Sequence, residues 1–216
     1  MLEPLGIFGG TFDPIHFGHL RLAEEALDHL GLSAILWIPA GQPPHRGAPR
    51  VTAAHRLDMV RLAIADQPAF QLDDAEVEAA RPSYTVLTLE RLRAEYGWER
   101  SLVLLVGADA FAGLPTWHRW QDLFGLAHIA VAHRPGFPVE PAGLPPALAA
   151  QFTARRIAPS GLGHQPAGGI TTFAMTQLAI SATQIRQLLA QGRSARYLLP
   201  AAVLDYIATH HLYRNA

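Results

Sequence analysis

Gly9-Gly10-Thr11-Phe12-Asp13-Pro14-Ile15-His16-Phe17-Gly18-His19 joins a short apolar segment, Leu5 to Phe8, to an amphipathic stretch beginning near Gly18. That order predicts a strand, a glycine turn and a helix. The glycines let backbone approach a ligand with no Cβ in the way, and the helix N-terminus is expected to offer unpaired N–H groups to an anion. His16 and His19 add imidazole donors where the helix dipole is already positive. Two histidines three residues apart, taken alone, read as readily as a surface pair. The flanking Gly9, Gly10, Thr11 and Asp13-Pro14 turn the reading toward phosphate binding.

Working outward, Leu20, Ala23, Leu27 and Leu30 follow helical spacing, Gly31 supplies a stop, and Ala34 to Ile38 reads as a buried strand, completing a βαβ unit. A Pro/Gly-rich loop from Pro39 to Arg46 precedes a helix over about Thr52 to Asp66, with Leu57, Val60 and Ile64 on one face. Phe70 to Val77 is expected as a strand and Tyr84 to Tyr96 as a helix. Ser101 to Val106 is apolar in the manner of a parallel strand and ends at Gly107-Ala108-Asp109; His128 to Ala132 is another strand, followed by Arg134-Pro135-Gly136. Residues 138–169 are dense in Pro, Gly and Ala, with one short helix expected around Pro146 to Arg156, and are read as a mobile excursion within a single domain spanning 1–216. Ile170 to Met175 is a last strand, and Ser181 to Gln191 and Pro200 to His211 are closing helices. The alternation argues for an α/β class: a Rossmann-like, doubly wound parallel sheet with a small C-terminal helical portion.

Half of the 216 residues are hydrophobic, enough to bury one substantial core. A formal charge of −1, from 17 basic and 18 acidic residues, sets up no global field for nucleic acid or an anionic membrane. All the basic residues are arginine, whose forked guanidinium suits phosphate. With no cysteine, thiolate chemistry and disulfides are excluded. No apolar run of membrane-spanning length and no charged leader are read, so a cytoplasmic setting is expected. The eleven histidines form no HExxH-type ligand cluster.

A second constellation lies near the other end, Ile180-Ser181-Ala182-Thr183-Gln184-Ile185-Arg186. Ser181 has the character of a helix N-cap. Thr183 and Arg186, three apart in the first turn, share a face and could converge on a polyphosphate.

Gly9 to His19 together with Ile180 to Arg186 resembles the paired (H/T)xGH and ISxTxxR motifs of the nucleotidyltransferase superfamily. The chain resembles, within it, the bacterial nicotinate-nucleotide adenylyltransferases. The matching pieces are GGTFDPIHFGHL, PPHR at Pro43 to Arg46, PSYT at Pro82 to Thr85, GADAFAGLPTWHRW at Gly107 to Trp120, HRPG at His133 to Gly136, ISATQIR, and YLLPAAVLDYIATHHLY. The resemblance implies transfer of AMP from ATP to nicotinate mononucleotide. It assigns His16, His19 and Arg186 to catalysis, with His19 nearest the transferring group. ATP binding falls to Gly9, Gly10, Thr11, Phe12, His16, Gly18, His19, Gly107, Asp109, Ser181, Thr183 and Arg186. Acceptor binding falls to His45, Arg46, Tyr84, Thr85, Trp117 and Arg134. It implies Mg²⁺ carried on ATP phosphates, with no protein ligand assigned. A homo-oligomer is compatible with it.

Ordinary roles stand beside these: core packing for Trp117, a helix-start turn for Tyr84-Thr85, a solvated loop for His45-Arg46, a turn for Asp109 and surface pairing for Arg134. Three positions depart from the pattern, with Leu87 in place of Asp, Ala182 of Ser and Arg46 of Lys. Leu87 bears most on acceptor preference. Nicotinamide mononucleotide or another phosphate acceptor such as phosphopantetheine is the alternative substrate, and a nucleotide-binding regulator without catalysis is the non-enzymatic one. The protonation of His16 and His19 is open at this point, because phosphate charge favours the imidazolium and the helix terminus opposes it.

Overall fold

The computed structural model describes residues 3–43, 48–79 and 81–214. Among the described residues six strands, β1 (Leu5–Gly10), β2 (Ala34–Pro39), β3 (Phe70–Leu72), β4 (Leu102–Gly107), β5 (His128–His133) and β6 (Ile170–Ala174), form one sheet in the order β3-β2-β1-β4-β5-β6. The pairings of β1 with β4, β4 with β5 and β5 with β6 are parallel. The order turns back at β1, and the glycine loop leaves that strand's carboxyl end, where open α/β sheets bind ligands. This is the expected Rossmann-like α/β sheet.

Helices α1 (Phe17–Leu30), α2 (Ala53–Ile64), α3 (Ala75–Glu78), α4 (Thr85–Tyr96), α5 (Ala108–Ala112), α6 (Leu123–Leu126), α7 (Pro146–Arg155), α8 (Ala182–Ala190) and α9 (Ala201–Thr209) alternate with the strands. Among the described residues no helix is long and apolar enough to cross a membrane. The chain divides into two compact units whose segments interleave: Met1–Phe8, Leu22–Leu36 and Tyr84–Thr176 in the first, Gly9–Arg21, Trp37–Ser83 and Gln177–Ala216 in the second.

In the first unit β4 is buried over its first five residues, as an apolar run covered on both faces must be, and sits in register with β5 from Val103 opposite His128 to Gly107 opposite Ala132. A Cβ on Gly6 would come within 2.9 Å of Ile35 and Leu32, so glycine there sets how closely the chain packs. The segment 138–169 is anchored: Leu148 and Phe152 of α7, and Leu162, are buried, and Arg156 bridges to Ile170. His128 is buried with Nδ1 accepting from the Gly169 amide at 2.9 Å and Nε2 lying 2.8 Å from the Gln165 carbonyl. That pattern makes it a neutral ring, and burial lowers its pKa.

In the second unit Trp37 lies between the rings of Phe12 and Phe70, at centroid distances of 5.5 and 5.3 Å. Thr52 caps α2 by accepting from the His55 amide. Two expectations need correction. The strand predicted over Phe70 to Val77 stops at Leu72, because Asp73 accepts from the Ala75 amide at 3.0 Å and turns the chain into α3. The buried face of α2 is Arg56, Met59, Val60 and Ile64, with Arg56 taking the place expected for Leu57. Likewise α1 buries Leu22, Ala23, Glu25, Ala26 and Leu30, without Leu20 and Leu27.

Candidate active site

The loop from β1 to α1 takes its shape from two glycines and one strained residue. Phe12 has φ of 48°, and its ring folds back so that a Cβ on Gly10 would lie 2.8 Å from it. A side chain at position 10 would therefore push the aromatic ring out of place. Gly18 does the same service for His16, whose ring would be 3.0 Å from an added Cβ. The Phe12 ring in turn meets His19 edge-on at 5.2 Å.

The two imidazoles stack with centroids 3.8 Å apart. Nδ1 of His16 accepts from the Gly18 amide at 3.1 Å, and Nδ1 of His19 accepts from the His16 amide at 3.3 Å. A ring nitrogen that accepts carries no proton, so each neutral ring holds its proton on Nε2. His16 is only 6% exposed, and this burial lowers its pKa to about 4. The protonation question left open by the sequence thus closes for His16: the buried ring is neutral, with Nε2–H as its donor.

The expectation of unpaired amides at the start of α1 does not hold. Phe17 N–H donates to the Leu198 carbonyl at 3.1 Å, Gly18 N–H to the His16 ring, and His19 N–H to the His16 carbonyl at 2.9 Å. The first turn is closed by its own histidine and by the segment before α9, so donors for an anion here are imidazole Nε2–H groups.

At α8 the structure brings the second motif to the first. Ser181 caps the helix, its Oγ accepting from the Gln184 amide at 3.1 Å. Arg186 donates through Nη2 to Thr183 Oγ1 at 3.2 Å and through Nη1 to the Asp13 carbonyl at 2.6 Å. The i, i+3 spacing places Thr183 and Arg186 together as expected, and the bond to Asp13 ties them to the glycine loop.

Three residues of this cluster were not assigned from the sequence. Asp13, 7% exposed, accepts from the Tyr213 hydroxyl on Oδ1 at 2.7 Å and from the Arg50 amide on Oδ2 at 2.8 Å. Arg56 is fully buried and donates to the carbonyls of Thr11 at 2.7 Å and Gly41 at 3.0 Å. Tyr213 has its pKa raised, by burial first and then by its bond to Asp13, so it stays a donor. Arg56 could have been suspected from its place in the apolar stripe of α2. Tyr213 ends the segment YLLPAAVLDYIATHHLY, but nothing local ties it to a partner 200 residues away.

The other candidates fall in the first unit. Gly107 ends β4 and precedes α5, on which Asp109 is exposed. Tyr84 occupies the N-cap position of α4, whose first residue is Thr85, and its ring lies 4.5 Å from that of His118. Trp117 follows the turn Leu114–Thr116 and is half-buried. Arg134 is exposed in the turn after β5. His45 and Arg46 lie outside the described residues.

The buried His16 carries a pH consequence. The unfolded ring, with an ordinary pKa near 6.5, takes up a proton before the folded one at about 4, so stability is full above pH 6.5 and is lost as pH falls toward 4. The expected loss is about 3 kcal/mol. Urea unfolding from pH 7 to 4.5 should show a shallower acid decline for His16→Gln than for wild type; parallel curves would refute the neutral buried assignment.

Known proteins resemble this chain along its whole length. A family model described as cytidylyltransferase-like matches residues 7–188. A relative from Dechloromonas aromatica (strain RCB), named "Probable nicotinate-nucleotide adenylyltransferase", is 71% identical over 217 residues, covering 100% of both chains. One from Pseudomonas paraeruginosa with the same name is 49% identical, covering 99% of each. The structure of Plasmodium falciparum nicotinic acid mononucleotide adenylyltransferase complexed with NaAD superposes with a TM-score of 0.73 at 15% identity, covering 98% of this chain and 97% of that one, which is a likeness of fold. With the glycine loop, its stacked histidines and the joined Ser181 to Arg186 helix in view, the chain belongs to the cytidylyltransferase-like family and, within it, to the nicotinate-nucleotide adenylyltransferases.

Proposed function

We propose that this protein transfers the adenylyl group of ATP to nicotinate mononucleotide, giving nicotinate adenine dinucleotide and pyrophosphate. The observation that carries the reading is the union of the two motifs: Arg186 and Thr183 fastened to the glycine loop that also sets the His16 and His19 pair. The activity named for full-length relatives at 71% and 49% identity supports the same reading.

The chemistry asks little covalent work of the protein. An oxygen of the acceptor phosphate, already anionic at neutral pH, attacks the α-phosphorus of ATP. The bond to the bridging oxygen breaks and its electron pair leaves on pyrophosphate. His19 Nε2–H donates to the transferring group and His16 Nε2–H to a neighbouring phosphate oxygen. Arg186, with Thr183, meets the β- and γ-phosphates, where negative charge grows as the bond breaks. Gly9, Gly10, Thr11, Phe12 and Gly18 shape the loop, Gly107 and Asp109 take the adenosine, and Ser181 orders the start of α8. The acceptor reading keeps Tyr84, Thr85, Trp117 and Arg134, together with His45 and Arg46. Mg²⁺ bound through ATP phosphates would supply charge neutralisation of the departing pyrophosphate. The residues fit that arrangement, since both oxygens of the Asp13 carboxylate already accept protein donors. A cysteine-free chain suits a reducing cytoplasm.

Pyrophosphate release with Mg-ATP and nicotinate mononucleotide, nicotinamide mononucleotide or phosphopantetheine in parallel tests the reading. The expected result is a preference for nicotinate mononucleotide of about tenfold or more, the lower end of what a small change in a bound group is worth. Equal use of the amide would remove the acceptor assignment. Silence with all three would remove the enzymatic one.

A further inference from the structure

Resting on the adenylyl-transfer reading, we propose that Tyr213 is a positioning residue for the phosphate site: by donating to the Asp13 carboxylate it keeps the Arg186 guanidinium available to ATP. Asp13 stands at the centre of the glycine loop with a nearly buried charge that must find donors. Tyr213 Oη supplies one at 2.7 Å and the Arg50 amide another at 2.8 Å. Arg186 Nη1 is 2.6 Å from the Asp13 main-chain oxygen and 3.9 Å from its Oδ2. Its short contact with the turn is through the neutral carbonyl, and with the carboxylate, whose oxygens have two other donors, it makes only the long 3.9 Å ion pair.

Removal of the tyrosine hydroxyl changes that balance. Oδ1 loses its partner in a place with little water, and the nearest mobile cation able to replace it is Arg186, since Arg56 is fixed by the carbonyls of Thr11 and Gly41. A guanidinium drawn from its 3.9 Å ion pair into direct hydrogen bonding with the carboxylate leaves Thr183 and spends more of its charge on aspartate before a phosphate arrives. Tyr213 itself has φ of 61°, a left-handed conformation that a tyrosine adopts at some cost, which its hydrogen bond to Asp13 helps to offset.

The test is calorimetric titration of Mg-ATP into wild type, Tyr213→Phe, Arg186→Ala and the double variant, with circular dichroism confirming that each is folded. Tyr213→Phe should raise Kd for Mg-ATP on the order of fivefold to tenfold, the scale of a charge-assisted contact partly lost. In the Arg186→Ala background the same change should move Kd by less than about twofold, because the tyrosine acts through that arginine. Asp13→Asn added to Tyr213→Phe removes the charge that captures Arg186 and should bring Kd back to within about twofold of wild type. A tyrosine of purely structural role would lower the melting temperature of Tyr213→Phe but leave Kd unchanged, or give equal losses in both backgrounds with no rescue; either result overturns the proposal. Pyrophosphate release by wild type with nicotinate mononucleotide is measured alongside. If wild type binds Mg-ATP without turnover, the adenylyl-transfer reading falls and the affinity comparison still decides the role of Tyr213. If wild type binds no Mg-ATP, both fall.

Discussion

His19→Ala is expected to lower kcat with Mg-ATP and nicotinate mononucleotide by roughly tenfold to a hundredfold, about 1.5 to 3 kcal/mol of transition-state stabilisation. The 3.3 Å acceptance by its Nδ1 from the His16 amide is long, so losing that bond should cost the fold little. What is lost for the reaction is the Nε2–H assigned to the transferring group, Nδ1 being an acceptor. Its contact with the transferring group strengthens as charge moves onto the equatorial oxygens, so the loss should appear in kcat more than in KM. His16→Ala carries a structural penalty as well, since the His16 ring fills space against Gly18 and accepts its amide. The cleaner experiment is therefore His19→Ala in steady-state pyrophosphate release, with thermal unfolding as a control. Turnover within about twofold of wild type in a folded variant would remove His19 from the catalytic group.

The contrast between these histidines and the residues around them shows what local sequence can carry. Parallel strands covered on both faces need apolar runs, so β4 and β5 were legible as LVLLV and IAVA. Ser181 and Thr52 were legible at helix starts because a cap acts within three residues. The same locality explains the misreadings. Glu25 and Arg56 lie in the buried stripes of α1 and α2, where a reading that keeps charges outside rotates each helix toward Leu20, Leu27 and Leu57. Their burial becomes tolerable only when distant partners arrive: the Thr176 amide on Glu25 at 2.6 Å, and the Thr11 and Gly41 carbonyls on Arg56. The amides at the start of α1 were read as free for the same reason, because the Leu198 carbonyl that takes one of them is far along the chain. Both motifs could be found separately; the hydrogen bond that joins them, Arg186 to Asp13, spans 173 residues and has no local signal.

Arg93 is the extreme case of a charge that distance makes stable, and Arg93→Met should be among the most destabilising single changes in the first unit. The side chain points inward from α4 and is 2% exposed. Nε donates to the Leu126 carbonyl at 2.7 Å, Nη1 to those of Gly97 at 3.2 Å and Arg100 at 2.6 Å, and Nη2 to that of Pro166 at 2.9 Å. One planar fork thereby closes the ends of α4 and α6, the approach to β4 and the loop before β6. Burial lowers its pKa, yet an arginine starts high enough to remain charged. Methionine matches much of the volume and none of the donors, so carbonyls shut away from water lose their partners at a combined cost of about 3 to 5 kcal/mol. For a chain of this size the melting temperature should fall by roughly 10 °C. Arg93→Lys keeps the charge but offers three donors from a single point, which cannot span four carbonyls in a plane, and should lose about half as much. Scanning calorimetry of the three proteins gives the order wild type, lysine, methionine if the fork is what matters. A lysine variant as stable as wild type would show that charge alone suffices, and a methionine variant within about 2 °C would show that the carbonyls find water instead.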